Sequence, residues 1–247
     1  LVSTVAAANP KTIVILKTGG AVLMPWLARV PSVLEVWYPG EEDGNVVADL
    51  VFGGTNPSGK LPLTFPKTET EVPASTPVQY PGVNGNAVYS EKLLVGYRWY
   101  DAKNAEPLFP FGYGLSYTTF RVDSLSVSPF PKIAGVQVSC EVKNTGQRAG
   151  AEVVQVYVAA PPDAGEPPKQ LKGFAKVNLK PGETRRVTIA LDRRAFSIWD
   201  VKAHKWMLAP GQHQILVGTS SRDLPLHSTV TIPPSPIPSS QNPTKHP

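Results

Sequence analysis

The sequence has 247 residues, of which 41% are hydrophobic, and this suffices for one or two domains with ordinary cores. No apolar run approaches the roughly 18 residues of a membrane-spanning helix, and no signal peptide is visible. The net charge of +5 is uneven, with 8 basic against 10 acidic residues up to residue 118 and 16 against 9 beyond it. Because the basic residues are interleaved with acidic ones and form no tract, we expect docking against an acidic neighbouring domain rather than nucleic-acid binding.

The first third of the chain reads as part of an α/β layer. A helix end is predicted over residues 1–9 and a strand over residues 12–16, followed by a short helix that includes Met24, Trp26 and Leu27. The run from Val33 to Tyr38 is almost wholly apolar and predicts a strand buried on both faces of a parallel sheet.

A second helix and a further strand are predicted after this run. Glu41, Glu42 and Asp43 crowd the first helical turn, where carboxylates complement the exposed N–H groups, and Gly53-Gly54 ends the helix. A pairing of these carboxylates as catalytic groups is disfavoured, because successive residues in a helical turn point in different directions. The alternating apolar residues from Leu61 to Phe65 are typical of an edge strand.

Two strands of this kind do not make a complete layer. They leave at least one hydrogen-bonding edge and much of two apolar faces open to water, which a soluble protein would not tolerate. We therefore expect polypeptide outside this chain to supply the missing strands. A start at Leu1, without an initiator methionine and inside a helical pattern, fits a fragment.

Residues 66–110 show little periodicity and many turn residues. Their aromatic content argues for a segment that follows another surface rather than a disordered linker. Leu93 to Tyr100 forms either a short strand or a helix. Tyr89, Trp99 and Tyr100 are candidates for stacking on sugar rings, although packing is the commoner role of aromatic side chains.

Beyond residue 114 the apolar pattern changes to period two and predicts an antiparallel sandwich of roughly seven strands, about the size of an immunoglobulin-like module. Trp199 and Trp206 are expected to fill or cover its core. Five strands are placed, at 136–142, 153–158, 187–191, 215–217 and 230–232. The last fifteen residues contain six prolines and predict an extended tail.

The cysteine and the histidines give no strong evidence for a catalytic or metal site. Cys140 is the only cysteine, which excludes intrachain disulfides, and its alternation with neighbouring valines predicts a buried thiol. The histidines show no metal-ligand spacing and are expected on the surface or in packing contacts; they are His204, His213, His227 and His246.

Several strings together resemble the C-terminal portion of glycoside hydrolase family 3, the β-glucosidase and β-xylosidase family. They run in family order over most of residues 1–232. The strings are MPW at 24–26, WYPGEEDGN at 37–45, NPSGKLPLTFP at 56–66, VGYRWYD at 95–101, LFPFGYGLSYTTF at 108–120, VKNTGQRAGAEVVQVYV at 142–158, KQLKGF at 169–174 and LKPGE at 179–183.

The resemblance implies an α/β plus all-β fold: the C-terminal part of an α/β sandwich followed by a fibronectin type III-like (immunoglobulin-like) β-sandwich. The domain boundaries expected are 1–66 for the α/β part, 67–117 for a long connecting segment, 118–232 for the β-sandwich and 233–247 for the proline-rich tail. A (β/α)8-like barrel would precede them in the complete enzyme.

The resemblance also implies retaining hydrolysis of terminal β-glycosyl residues by an aspartate nucleophile and a glutamate acid/base. Both belong to parts that precede Leu1, so no catalytic residue is assigned to this chain, and it is expected to be inactive alone. No metal or organic cofactor and no membrane partner is implied. The expected partners are the N-terminal polypeptide of the same enzyme and a β-glycoside substrate, homodimerisation is left open, and a secreted or periplasmic location is expected.

A second hypothesis stands beside this one. The chain would then be a non-catalytic module whose β-sandwich recognises glycan or protein. Calorimetry with oligosaccharides on the β-sandwich separates the two hypotheses, because the enzyme-fragment hypothesis expects no binding there.

Overall fold

The computed structural model describes residues 1–130 and 135–234. An α/β region comes first, a long connecting segment follows it, and an antiparallel β-sandwich completes the described chain. Within the described residues, no helix has the length and apolar character needed to cross a membrane. The predicted tail, apart from Pro233 and Pro234, lies outside the described residues, as does His246.

The α/β region contains two parallel strands in register, with Val14 opposite Val33. Its helices and strands are α1 Val2–Ala8, β1 Ile13–Leu16, β2 Ser32–Glu35 and α2 Asp43–Val51. Single 3₁₀ turns cover Leu27–Arg29 and Gly40–Glu42. The short helix predicted to include Met24, Trp26 and Leu27 is therefore reduced to one 3₁₀ turn that begins at Leu27.

Helix α2 begins and ends for the predicted local reasons. Three carboxylates occupy the 3₁₀ turn and the first α-helical turn, where they favour the positive end of the helix dipole. Gly53 adopts a φ of 76°, a left-handed conformation suited to glycine after a helix end. None of the carboxylates makes a side-chain capping hydrogen bond, so their contribution is electrostatic.

The edge strand predicted over residues 61–65 is wrong. This stretch pairs with the later segment 108–113 at separate points, through Leu61 N–H to Tyr113 O at 2.8 Å and Phe65 N–H to Phe109 O at 2.9 Å. Pro62 has no N–H to donate, so the continuous ladder of a strand does not form. The aromatic ring of Phe65 is 1% exposed and packs edge-on to Phe109.

The connecting segment contains one helix, α3 Tyr97–Ala102, which resolves the alternative that the sequence left open for residues 93–100. The ring of Tyr97 stacks on Phe111 at 4.8 Å and meets Tyr157 of the sandwich edge-on at 5.8 Å. The segment thus covers the outer face of one sheet of the sandwich, as its aromatic content predicted.

Over the described residues the sandwich has seven strands in two sheets, as expected. The strands are β3 Phe120–Phe130, β4 Gly135–Asn144, β5 Gly150–Ala159, β6 Gln170–Leu179, β7 Thr184–Leu191, β10 Gly211–Gly218 and β11 Leu226–Ile232. One sheet has the order β11-β10-β5-β6 and the other β3-β4-β7, and all pairings in both are antiparallel. Strands β3 and β6 had not been placed from the sequence.

Alternating side chains of the two sheets form the core. Cys140 is 2% exposed and packs in this core with the valines of its own strand, Val136, Val138 and Val142, as predicted. Between β7 and β10 the chain forms a separate short hairpin of β8 Ser197–Asp200 and β9 Lys205–Leu208. Trp199 and Trp206 lie on this hairpin, 45% and 43% exposed, so the expectation that they fill or cover the core is wrong.

Candidate functional site

The α/β region presents an uncovered apolar surface. Among the described residues its sheet contains only β1 and β2, and Val14 is the one residue of these strands that is buried. Ile13, Val5 and Val46 are each at least 40% exposed. A strand pair predicted to be buried on both faces therefore lacks most of its cover within the described residues, which is the condition expected of an incomplete layer.

The carboxyl ends of β1 and β2 form one edge of this sheet. Glu35 closes β2, and its carboxylate accepts hydrogen bonds from Thr18 Oγ1 at 3.0 Å and from the Trp37 N–H at 2.9 Å. The bond pair fixes the loops that follow the two strands, with Trp37 in a left-handed conformation of φ 52°. Ligands of open α/β sheets bind at this edge, but the two bonds give Glu35 a structural task in this chain.

The acidic run at α2 is engaged locally. Asp43 forms an ion pair with Lys17 of the loop after β1, and Glu42 Oε2 accepts a hydrogen bond from Asn45 at 2.6 Å. These contacts tie the helix to the sheet and support a structural role. They give no arrangement of two carboxylates that flank a common cleft.

The three candidate sugar-stacking residues do not form one platform. Trp99 and Tyr100 contact each other edge-on at 5.2 Å between ring centroids. Tyr100 is 2% exposed, and its hydroxyl donates to the Glu71 carbonyl at 2.5 Å; burial, with Glu71 nearby, raises the pKa of this hydroxyl. A buried ring has no face for a sugar, so Tyr100 packs the segment instead. Tyr89 is 80% exposed, and its sugar-binding role stays a prediction.

The histidines hold no metal cluster in the part of the chain that the structure describes. His213 is 1% exposed, packs edge-on to Phe196 and bonds through Nε2 to the Ala209 carbonyl at 2.8 Å. Burial is the main cause that lowers the pKa of His213, and Lys172 nearby lowers it further. This is the packing role expected for it.

Polar residues at the junctions were missed by the sequence reasoning. Asp101 of α3 is bound by Lys169 at 2.5 Å and by Arg222 at 3.4 Å, and its side chain is 5% exposed. Lys60 and Glu152 pair at 2.8 Å with similarly small exposure. For all of these residues except Arg222, the only available signal was their position inside the matched strings, since periodicity identifies apolar faces and not the partners of polar groups.

Asn56 joins the α/β region to the sandwich. Its Nδ2 donates to the Ala149 carbonyl at 2.9 Å, and its Oδ1 accepts from Ser116 Oγ and the Tyr117 N–H. Arg148 donates to the Gly53 carbonyl beside it. These bonds fix the start of β5 against the end of α2, so the sandwich is held as a brace behind the incomplete layer.

Comparison with known proteins gives a consistent assignment of both regions. The glycosyl hydrolase family 3 C-terminal domain matches residues 1–117, and the fibronectin type III-like domain matches residues 152–221. A β-glucosidase of Rhizobium radiobacter is 42% identical over 237 residues, and the thermostable β-glucosidase B of Acetivibrio thermocellus is 43% identical over 235 residues. The two alignments each cover 94% of this chain but only 29% and 31% of the relatives.

Solved structures agree with this assignment. The β-glucosidase DesR from Streptomyces venezuelae, solved in complex with D-glucose, superposes with a TM-score of 0.90 at 44% identity. β-Glucosidase 3B from Thermotoga neapolitana gives 0.85 at 38% identity. Each superposition covers 94% of this chain and about a third of the other, namely 30% and 33%. The chain thus spans about three tenths of the length of the proteins that it matches.

Proposed function

Because this chain belongs to glycosyl hydrolase family 3, whose C-terminal portion it forms, we propose that it completes a retaining β-glucosidase. The observation that carries the proposal is the coverage pattern. Relatives named as β-glucosidases align with 94% of this chain, yet the chain accounts for only 29% to 31% of their length.

The reaction is hydrolysis of a terminal non-reducing β-D-glucosyl residue by two carboxyl groups. In a retaining enzyme these groups lie about 5–5.5 Å apart; one attacks the anomeric carbon and the other protonates the leaving oxygen and then activates water. Both groups come from polypeptide that precedes Leu1. The contacts of Glu35, Glu42 and Asp43 support this division, since each has a structural partner in the chain.

The chain's own contribution is the surface on which the catalytic part is built. Strands β1 and β2 provide the template edge and the apolar faces that the preceding part of the α/β sandwich covers. Burial of such faces stabilises the assembly by about 25 cal/mol per Å² of apolar surface. The polar junction around Asn56 then holds this layer against the β-sandwich.

A fragment-complementation assay tests the division of labour. The 247-residue chain, the preceding polypeptide and a co-expressed mixture of the two are assayed on an aryl β-glucoside. We expect turnover from the mixture and none from either part. Appreciable turnover by the 247-residue chain alone would overturn the assignment of the carboxylates to the preceding part.

Carboxylate variants of the full-length polypeptide give a matched comparison. Glu41→Gln and Glu42→Gln are expected to leave kcat within about threefold of the parent, since loss of a surface charge at a helix start costs little. Amide variants of carboxylates before Leu1 are screened in parallel, and two of them are expected to lose most activity. A large kcat loss in either helix variant, with folding intact, contradicts the proposal.

Substrate preference and location belong to the same proposal. Glucosides are proposed over xylosides on the names of the relatives, and comparison of kcat/KM for the two aryl glycosides tests this preference. Export to a secreted or periplasmic location is a further proposal, for which fractionation of the native host is the test.

A further inference from the structure

The hairpin of β8 and β9, together with the 3₁₀ turn before it, is a surface that the proposed function does not use. We call residues 193–208 the Trp hairpin. Trp199 and Trp206 are directly opposite on its two strands, with ring centroids 5.5 Å apart and planes inclined by 60°. Both tryptophans are nearly half exposed, and Met207, the next residue along β9, is 40% exposed.

The Trp hairpin lies at the far end of the sandwich from the α/β region. The α/β region contacts the start of β5, through Asn56 bonded to Ala149. The hairpin packs beside the other end of β5, where Val158 and Ala160 border the same small cavity as Phe196 and Ala209. The ten residues of β5 span about 30 Å between these ends. Completion of the α/β layer therefore does not account for the exposed tryptophans.

The Trp hairpin is also basic. It carries Arg193, Arg194, Lys202 and Lys205 against the single carboxylate of Asp200. Asp200 Oδ1 accepts the N–H groups of Lys202 and Ala203 at 2.9 Å each and so serves the turn. Among the described residues, none of the four cations has a carboxylate within ion-pair distance.

One of these cations is already placed on an aromatic ring. The Arg194 guanidinium lies 3.4 Å from the centroid of Trp206, a geometry in which the cation is attracted to the ring face and is held in place. The N–H groups of this rigid, fork-shaped guanidinium are available for a carboxylate ligand. The cross-strand contact of the two tryptophans is enough to stabilise the hairpin. Stability of the hairpin therefore does not require the ordered Arg194 beside them.

The size and charge of the Trp hairpin favour a sugar ligand over a protein partner. The exposed parts of the two rings amount to about 200 Å², if a tryptophan offers about 250 Å², whereas a stable protein interface buries about 800 Å² per partner. A second copy of the chain would bring like charges together across a two-fold interface. Sugar rings fit this area, because their C–H faces are apolar and their size is close to that of an indole.

We propose that the Trp hairpin is a non-catalytic binding site for an acidic polysaccharide. Uronate rings lie against Trp199 and Trp206, and their carboxylates pair with Arg194 and the neighbouring cations. The site acts independently of hydrolysis, so its failure leaves the proposed β-glucosidase function untouched. Its presence would mean that glycan binding by the β-sandwich does not exclude the enzyme-fragment hypothesis, contrary to the expectation from the sequence. It would hold the enzyme on an anionic glycan matrix while the active site acts on soluble or terminal glucosides.

Affinity electrophoresis of the full-length polypeptide tests the site. The gels contain polygalacturonate, its fully methyl-esterified form or no polymer; the esterified form keeps the sugar ring but removes the charge. We expect retardation by the acid form, weaker retardation by the ester, and loss of retardation near 1 M salt, where the Debye length is about 3 Å.

Variants identify the surface. Trp199→Ala and Trp206→Ala are each expected to weaken binding roughly tenfold, the loss of one good aromatic contact. The matched control is Phe174→Ala, which removes an aromatic side chain 67% exposed on β6 of the same sandwich. Thermal unfolding of each variant checks that the fold persists. If Trp206→Ala is unstable, Trp206→Phe replaces it; this variant keeps an aromatic ring and is expected to retain most of the binding.

Three results would overturn the proposal. The first is absence of retardation by polygalacturonate. The second is retardation that the tryptophan variants leave unchanged, which would mean adsorption of a polyanion by charge alone. The third is acrylamide-quenchable tryptophan fluorescence of the full-length polypeptide that neither Trp199→Phe nor Trp206→Phe reduces, which would show that protein covers the hairpin.

Discussion

Cys140 is a single reporter placed inside the sandwich core. The side chain is 2% exposed, and burial, helped by Asp123, raises the pKa of its thiol to about 11. At pH 8 about one molecule in a thousand would carry the reactive thiolate even if a reagent could reach it. We therefore expect no reaction of the native chain with a thiol reagent such as DTNB, and one equivalent after denaturation.

The measurement is simple because no second cysteine contributes. Rapid reaction of the folded chain would mean that the sheet β3-β4-β7 opens locally or packs less tightly than described. Cys140→Ala is the blank for both states.

His213 makes stability depend on pH. Burial lowers its pKa below the ordinary 6.5, so in mild acid the unfolded chain binds a proton that the folded chain does not. The free energy of unfolding is then fully retained above about pH 6.5 and falls as the pH drops from there toward the lowered value, by at most about 1.4 kcal/mol per pH unit. Urea unfolding at several pH values between about 7.5 and 5 measures this slope.

The variant His213→Gln isolates the effect, since an amide can donate to the Ala209 carbonyl but does not titrate in this range. We expect a shallower pH dependence of the free energy of unfolding than in the parent. Equal slopes for parent and His213→Gln would contradict the assignment.

At the scale of elements, Asp101 is expected to hold α3 against the sandwich. Its carboxylate sits between Lys169 and Arg222 and is nearly buried. Asp101→Asn removes the negative charge and leaves two cations facing each other, which is expected to cost about 2–4 kcal/mol of unfolding free energy.

The matched control is Arg121→Gln, which breaks an exposed ion pair with Asp123. Such pairs are worth at most about 1 kcal/mol. Chemical denaturation of both variants distinguishes a buried electrostatic contact from a surface one. If Asp101→Asn lowers the free energy of unfolding no more than the control does, the Asp101 contacts do not hold α3 against the sandwich.

Element prediction succeeded where alternation was regular and failed where a bulge interrupted it. Strands β4 and β7 pair without interruption, and their period-two pattern was visible in the sequence. Strand β3 contains a register shift between Asp123 and Ser126, with Ser124 in a left-handed conformation. The shift moves the apolar side chains out of phase, which hides the strand from a periodicity argument.

The strand prediction for residues 61–65 failed for the opposite reason. Their alternation is real, but Pro62 and the distant partner around Phe109 limit the pairing to isolated bonds. Local pattern specifies which face of a segment is apolar, and it does not specify whether a continuous partner strand exists. The Trp hairpin is similar, because only the structure shows that its aromatic pair faces solvent.

At the scale of the whole molecule, the two regions differ in how complete they are. Among the described residues the sandwich core contains sixteen buried side chains, whereas β1 and β2 contribute a single buried residue. The sequence predicted this difference, since two buried-type strands cannot cover each other. It could not supply the catalytic geometry, because the carboxylates are proposed to belong to the part that covers those strands.

Hydrogen exchange measured by mass spectrometry tests the incompleteness directly. In the isolated chain, amides of β1, β2 and α2 are expected to exchange rapidly, since hydrogen bonds in a marginal two-stranded sheet open at little cost. Amides of β4, β5 and β10 in the same sample are expected to exchange slowly and act as the internal control. In the full-length polypeptide both sets are expected to be slow, because cover over β1 and β2 makes their opening as costly as that of the sandwich. If β1 and β2 exchange equally slowly in both samples, the α/β region is stable without a partner, and the physical basis for placing the active site in added polypeptide is lost.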